Sequence, residues 1–334
     1  MSLVIMNSRL ASRRVVVSVA VAWMVACLHI VNMYAQNGAG IQNGAGTRND
    51  EWLEHVSDLS HFQKLYLGGS HITDRGLVRL QTATRLLQLY LNYSKVTDAG
   101  MLYLKDLKEL QELYLRGTQI DDTGLERLGG LTQLHVLDLD STQVDDAGLT
   151  NLEGLAALQQ LYLGSTHVGD KGLAKLSGLR QLQVLDLRST RVTDEGLVNL
   201  EGLPQLQRLG LDLTQVSNSG LAHLKGFKQL QRLSLTGTRV DNDGLVYLKA
   251  LTEMEYLGLK HTRVTDAGLE QVRGLTLLQM LDLSDTRVSD TGLTNLKGLK
   301  KLQCVGLFGT QVSSDGVEAL RKQLPKCEID WSPH

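Results

Sequence analysis

Residues 113–128 read Leu113-Tyr-Leu-Arg-Gly-Thr-Gln-Ile-Asp-Asp-Thr-Gly-Leu-Glu-Arg-Leu128, and residues 185–200 read Leu185-Asp-Leu-Arg-Ser-Thr-Arg-Val-Thr-Asp-Glu-Gly-Leu-Val-Asn-Leu200. The two stretches lie 72 residues apart, and the interval divides into three periods of 24. Glycine marks the period at 76, 100, 124, 148, 172, 196, 220, 244, 268, 292 and 316, so eleven copies follow one another without insertion or deletion. Within a copy, Leu113 and Leu115 flank Tyr114 in the alternation of a short strand whose tyrosine faces solvent. Asp122, Leu125 and Leu128 then give an acid followed by apolar residues at helical spacing, with the acid expected to cap the amides of its own helix.

Seven positions per unit are apolar: Leu110, Leu113, Leu115, Ile120, Leu125, Leu128 and Leu131. A lone unit of this length leaves both apolar flanks bare, so only stacking of neighbours makes a core. Stacked strands must pair in parallel, about 4.8 Å apart. Helices are bulkier than strands, which predicts an α/β solenoid curved like a horseshoe, with a parallel sheet on the concave face and short helices on the convex face. Thr118, Thr142, Thr166, Thr190, Thr214, Thr238, Thr262, Thr286 and Thr310, with Ser70 and Ser94 in the first two units, fall just past the strand, where hydroxyls are expected to bond the turns above and below. The repeated glycine is expected to serve a close approach of the adjacent coil or a positive φ.

These residues resemble the leucine-rich repeat family, whose unit runs Leu-x-x-Leu-x-Leu-x-x-Asn-x-Leu, with Thr here in place of the family's Asn. The Val264–Leu269 segment, Val-Thr-Asp-Ala-Gly-Leu, looks like the 24-residue bacterial repeats typical of planctomycete genomes, and is similar to ribonuclease-inhibitor-type and F-box-associated repeats. The resemblance covers residues 53–331 and implies a protein-binding scaffold rather than a particular activity.

Outward from the repeats, residues 50–334 form the expected repeat domain, with a helical cap at 50–61 and a closing cap at 321–334. Trp52 is expected to shield the first edge, and Pro325 and Trp331 the last, with Cys327 and Ile329 taking the inward Leu positions of a twelfth strand. Cys327 then faces the core and Cys304 the concave surface, which speaks against a disulfide between them. Residues 36–49 repeat Gln-Asn-Gly-Ala-Gly from Gln36 and Gln42 and read as a flexible linker. Their glycines follow no strand and precede no Gly-Lys-Ser, so they do not form a phosphate loop.

Residues 1–35 place Arg9, Arg13 and Arg14 before an uncharged apolar run from Val15 to Ala35, the order of an export signal. Three fates fit this segment: cleavage after Ala35, retention of residues 15–35 as a membrane anchor, or lipidation at Cys27 within Met24-Val25-Ala26-Cys27. Each predicts an extracytoplasmic protein of the periplasm, cell envelope or medium.

The net charge is −2, with 34 basic against 36 acidic residues, so no electrostatic excess favours a nucleic-acid backbone. Losing the leader removes three Arg and no acid, taking the charge to −5. Three cysteines, scattered at 27, 304 and 327, make neither a disulfide framework nor a zinc site. Among nine histidines, His71 and His167 share an edge column, His135 precedes a strand and His223 lies on the convex side; no HExxH or Gly-x-Ser-x-Gly occurs. No catalytic residue, metal or cofactor is expected.

Binding is therefore expected on the concave face, where the residues between strand leucines vary from unit to unit. Tyr66, Tyr90, Tyr114 and Tyr162 are candidate anchors, as aromatics with a polar tip suit interfaces. Asp138, Asp140, Asp186 and Asp212 form an acidic centre relieved only by Arg188, which points to a partner with a basic surface. Arg191, Arg239, Arg263 and Arg287 make a basic ridge along the edge, each expected to pair with a nearby helix-starting acid. The competing readings are an architectural or adhesive cell-envelope spacer and an enzyme-inhibitor-like regulator; the cysteine richness of ribonuclease inhibitor is absent.

Overall fold

The computed structural model describes residues 49–69 and 71–333; the expected leader, most of the linker, Cys27 and Ser70 lie outside the described residues. The described chain forms one sheet of twelve parallel strands, ordered as in the sequence. The first six are β1 (Lys64–Tyr66), β2 (Gln88–Tyr90), β3 (Glu112–Tyr114), β4 (Val136–Asp138), β5 (Gln160–Tyr162) and β6 (Val184–Asp186). The rest are β7 (Arg208–Gly210), β8 (Arg232–Ser234), β9 (Tyr256–Gly258), β10 (Met280–Asp282), β11 (Cys304–Gly306) and β12 (Glu328–Asp330). Register follows the period without slip: Tyr66 lies beside Tyr90, Tyr90 beside Tyr114, and Tyr114 beside Asp138. Each strand leads across the core into a short helical segment, such as Asp122–Leu128, or Asp74–Leu77 continued by a tighter turn at Val78–Thr82. Leu113, Leu115, Ile120, Leu125, Leu128 and Leu131 are wholly buried, and their equivalents in successive units join into one continuous core.

Three local expectations change in physical detail. First, the repeated Asp does not cap its own helix. Thr97 caps the helix Asp98–Met101, while Asp74 of the preceding unit accepts from the Thr97 backbone N–H at 2.8 Å and from its hydroxyl at 2.6 Å. The acid thus bonds one unit to the next, at the amide-rich start of its neighbour's helix. Second, this contact explains the repeated glycine: a Cβ on Gly148 would lie 2.2 Å from Asp122 Oδ1, and one on Gly316 would lie 2.0 Å from Asp290 Oδ1. Close approach is the reason, not a positive φ. Third, the threonine hydroxyls bond within their own unit, as when Thr142 Oγ1 donates to the Leu139 carbonyl at 2.7 Å. The spacing i−3 lets the hydroxyl close its own turn, which is shorter than the reach to a neighbour.

The left-handed conformation falls elsewhere, four residues after the centre of each of the first eleven strands, and turns the chain out of the sheet. Glycine fills it at Gly69, Gly117, Gly237 and Gly309, whereas Tyr93, Ser141, Ser165, Ser189, Leu213, His261 and Asp285 adopt it at φ of 55–60°.

At the amino end, the helix Asp50–His55 buries Leu53, and Trp52 packs against the core. At the carboxyl end, Ile329 pairs with Val305, so Ile329 takes the first inward strand position and Trp331 falls at the second. Cys327 is buried before the strand, at the position Leu302 holds one unit earlier, because one extra residue lies between Leu320 and Leu324 relative to the regular spacing. The Trp331 indole N–H donates to the Val312 carbonyl at 2.9 Å, seating the ring against the last coil. No disulfide joins Cys304 to Cys327.

Candidate protein-binding face

Parallel pairing in exact register puts the residues between the strand leucines about 4.8 Å apart in columns. That distance is close to the thickness of an aromatic ring pair, and it decides the burial of the candidate residues. The Tyr66 and Tyr90 rings stack with centroids 4.4 Å apart and planes 17° from parallel, and Tyr90 stacks on Tyr114 at 4.4 Å and 11°. Within the stack Tyr114 is buried and Tyr66 and Tyr90 are half-buried; Tyr162, outside it, is buried as well. The solvent-facing tyrosines predicted from alternation are therefore corrected: alternation gives the face, but neighbouring units cover it. Glu112, from the adjacent column, accepts from the Tyr114 hydroxyl at 2.8 Å and the Gln88 amide at 2.9 Å, with the Tyr90 hydroxyl 3.5 Å away. Burial, then the Glu112 charge, pushes the Tyr90 hydroxyl well above the usual tyrosine range. Tyr162 stands apart from this group, its hydroxyl donating to Gln160 at 2.9 Å.

The acidic centre is also buried: Asp138, Asp140 and Asp186 have little exposed surface, and Asp212 is half-buried. Asp140 is bound by two arginines rather than one. Arg188 Nη2 forms a short ion pair with it, Arg116 Nη1 lies 3.5 Å away, and the Gly164 N–H donates to it at 2.6 Å. Arg188 Nη1 also lies 3.4 Å from Asp186. Asp212 accepts from the Ser234 hydroxyl and from the Thr236 N–H at 2.8 Å. The expectation of a centre relieved only by Arg188 missed Arg116, which stands one unit before Asp140 in the same column. Burial, reinforced by Asp140, raises the Asp138 carboxyl to about 7; burial raises Asp186 to about 6 against the pull of Arg188. The Arg116 Nε is buried without a hydrogen-bond partner. The cluster thus carries less negative charge than four aspartates imply.

Three side chains on the strand-exit side were not singled out from sequence: Tyr93 is 60% exposed, Leu213 63% and Phe308 52%. Tyr93 and Leu213 occupy the left-handed position, where a bulky residue costs on the order of 1 kcal/mol. Each leans over a glycine of the next unit: a Cβ on Gly117 would lie 2.5 Å from the Tyr93 ring, and one on Gly237 would lie 2.6 Å from Leu213 Cδ2. The Arg116 guanidinium sits 5.9 Å from the Tyr93 ring centre. A signal did exist, since Tyr93 and Leu213 stand in a column otherwise dominated by Gly and Ser.

Among the described residues, no cluster of three His, Cys, Asp or Glu could hold a metal ion, and no helix is long and apolar enough to cross a membrane. Arg191, Arg239, Arg263 and Arg287 are exposed, and none lies within ion-pair distance of a described acid. The expected local ion pairs do not form, because the helix-starting acids turn toward the backbone of the next unit instead, although Arg191 is near enough to help lower the capping Asp145 carboxyl, which the Ala147 N–H lowers most.

The "Leucine Rich repeat" family profile matches residues 109–129, 156–177 and 179–200. No curated protein matches the sequence. Solved structures do: an internalin (inlF) of Listeria monocytogenes superposes with a TM-score of 0.67 at 22% identity, over 82% of this chain and 75% of its own. Internalin C2 of the same organism gives 0.51 at 27% identity, over 62% and 82%. A leucine-rich-repeat protein of Leptospira interrogans gives 0.51 at 20% identity, over 85% and 81%. Periodicity, the open parallel sheet and these matches agree that the fold is a leucine-rich-repeat solenoid, three of whose units match that family's profile.

Proposed function

We propose that this chain is an exported, non-enzymatic recognition protein that binds another protein through its concave sheet and the strand-exit rim beside it. The repeat fold is consistent with protein binding, and a preformed surface binds without the cost of ordering itself. Three rim side chains carry the reading: Tyr93, Leu213 and Phe308 hold large apolar surfaces in solvent on a rigid array, two of them at a conformational cost that folding does not require. Beside them on the sheet lie Tyr66, Tyr90, Tyr114 and Tyr162 and the Asp138, Asp140, Asp186 and Asp212 centre, which supply polar edges rather than deep pockets. With Arg116 and Arg188 among the acids, the complementary surface is polar and mildly basic rather than strongly cationic. The basic and then apolar order of residues 1–35 supports an extracytoplasmic site of action, tethered through residues 15–35 or Cys27 or released.

The test is affinity capture with residues 36–334 against envelope and secreted proteins, followed by crosslink mapping on the captured partner. Tyr93→Ser with Leu213→Ser is expected to weaken capture at least tenfold, since apolar anchors dominate interfaces. Unchanged affinity in that double variant, with crosslinks confined to the convex helices, overturns the assignment.

A further inference from the structure

The edge column just past the left-handed turn reads His71, Lys95, Gln119, Gln143, His167, Arg191, Gln215, Arg239, Arg263, Arg287 and Gln311. It holds no acid in a chain with more acids than bases. Its last three arginines come from consecutive units and are exposed. Their backbone is pinned by an inter-unit ladder, in which Arg239, Arg263 and Arg287 N–H donate to the Val216, Val240 and Val264 carbonyls at 2.9, 3.1 and 3.1 Å. The nearby acids are engaged elsewhere. Asp241 accepts from Asn218 at 2.6 Å, Asp266 from the Ser289 hydroxyl at 2.6 Å and Asp290 from the Ser313 hydroxyl at 2.6 Å; Asp285 faces His261 and Lys260 at 3.4 and 3.7 Å. Among the described residues, the three guanidiniums make one side-chain hydrogen bond, from Arg239 to Gln215 at 3.3 Å, which leaves the carboxylate-binding fork of Arg263 and Arg287 open.

We propose that Arg239, Arg263 and Arg287 form a docking edge for an acidic α-helix of a partner, with one carboxylate per helical turn set against one arginine per solenoid unit. Spacing selects this occupant. The arginines repeat about every 4.8 Å, and one helix face repeats about every 5.4 Å, so three matched pairs drift apart by only about 1 Å, well within the reach of an arginine side chain. An extended strand presents same-face carboxylates about 6.7 Å apart and drifts by about 4 Å over the same three units. Planar guanidiniums also take carboxylates bidentately, which a helix face allows at each turn. This edge is separate from the sheet and rim of the proposed function, and it can fail or hold independently.

Fluorescence anisotropy with the described domain and two labelled helix-stabilised peptides tests it. One peptide carries Glu at i, i+4 and i+7; its isomer spreads the same Glu residues around the helix. The one-face peptide is expected to bind at least roughly fivefold tighter, with an affinity that falls as salt rises. R239E/R263E/R287E is expected to lose roughly 100-fold, taking about fivefold for each exposed pair. The Arg→Gln triple variant, which keeps the stems and guards against a charge-induced loss of folding, is expected to lose binding as well, with its circular dichroism unchanged. Tyr93→Ser and Leu213→Ser are expected to leave peptide binding as it is. Equal binding of the two peptides, tighter binding of an oligouronate than of the one-face helix, or retained binding in a folded triple variant overturns the proposal.

Discussion

The tyrosine stack of β1–β3 and the charged centre of β4–β7 occupy the same columns of the same sheet, yet register acts on them in opposite ways. Exact parallel register stacks like on like. For Tyr66, Tyr90 and Tyr114 this brings rings to 4.4 Å and buries them, a favourable contact beyond the area removed from water. For aspartates the same register would set like charges about 4.8 Å apart in a partly dry surface. The chain avoids that by interleaving: Tyr162 separates Asp138 from Asp186 in one column, and in the next Arg116 stands one unit before Asp140 and Arg188 two units after it, with Gly164 leaving room for the guanidinium. Repetition is thus tolerated for aromatics and must be broken for charges.

Removing residues 137–160 tests this contrast most severely. That deletion excises one whole period, takes out Asp138 and Asp140, and places Tyr162 beside Tyr114 to extend the stack to four rings. A cooperatively folded, shorter array is expected by denaturant unfolding, whereas deletion of residues 137–148 sets strand against helix and is expected to abolish the transition. Equal tolerance of the two deletions would refute the period. Next in size, Arg188→Ala leaves Asp140 and Asp186 buried with one of their partners gone, for an expected loss of roughly 3 to 5 kcal/mol at neutral pH in urea titration. A loss below about 1 kcal/mol would mean that the centre is solvated rather than buried.

Tyr90→Ser removes both ring contacts and is expected to cost roughly 2 to 4 kcal/mol, since Tyr90 sits between two rings and its side chain is half-buried. The solvent-facing reading from sequence predicts at most about 1 kcal/mol, so the same melt separates the two. Asp138→Asn has a smaller effect with a defined pH dependence. The folded carboxyl is held at about 7, above its ordinary 3.8. Between about pH 4 and 7 the folded state keeps a proton that the unfolded chain has released, so stability falls as pH rises across that window. Asparagine keeps the acceptor for the Asp140 N–H, 3.0 Å away in the parent, and is expected to raise the melting temperature by about 2 to 4 °C at pH 8 and hardly at all at pH 4. An identical shift at both pH values would remove the burial argument. Leu213→Gly is the smallest test, relieving a left-handed leucine and expected to stabilise by up to about 1 kcal/mol; destabilisation would mean that Leu213 serves the fold rather than the rim.

Much of the fold was legible because the period is strict. Glycines 24 residues apart and alternating leucines specify parallel register, one core and capped ends without any long-range information. The columns of the candidate site were legible for the same reason: Tyr66, Tyr90 and Tyr114 had to share a face. Burial within those columns was not legible, because it depends on what a neighbour 24 residues away covers rather than on the alternation within one strand.

Sequence alone therefore determined the repeat, the number of regular units, the inward and outward positions, and the absence of a familiar catalytic motif, since each rests on local pattern or counting. Tertiary structure decided where each polar group finds its partner. Asp74 reaches Thr97 rather than its own helix, Thr142 turns back on Leu139, Arg116 joins Asp140, and Ile329 rather than Cys327 enters the last strand. The physical reason is the same in each case: hydrogen bonds and ion pairs act over about 3 to 4 Å, and only stacking of the coils fixes which groups come that close.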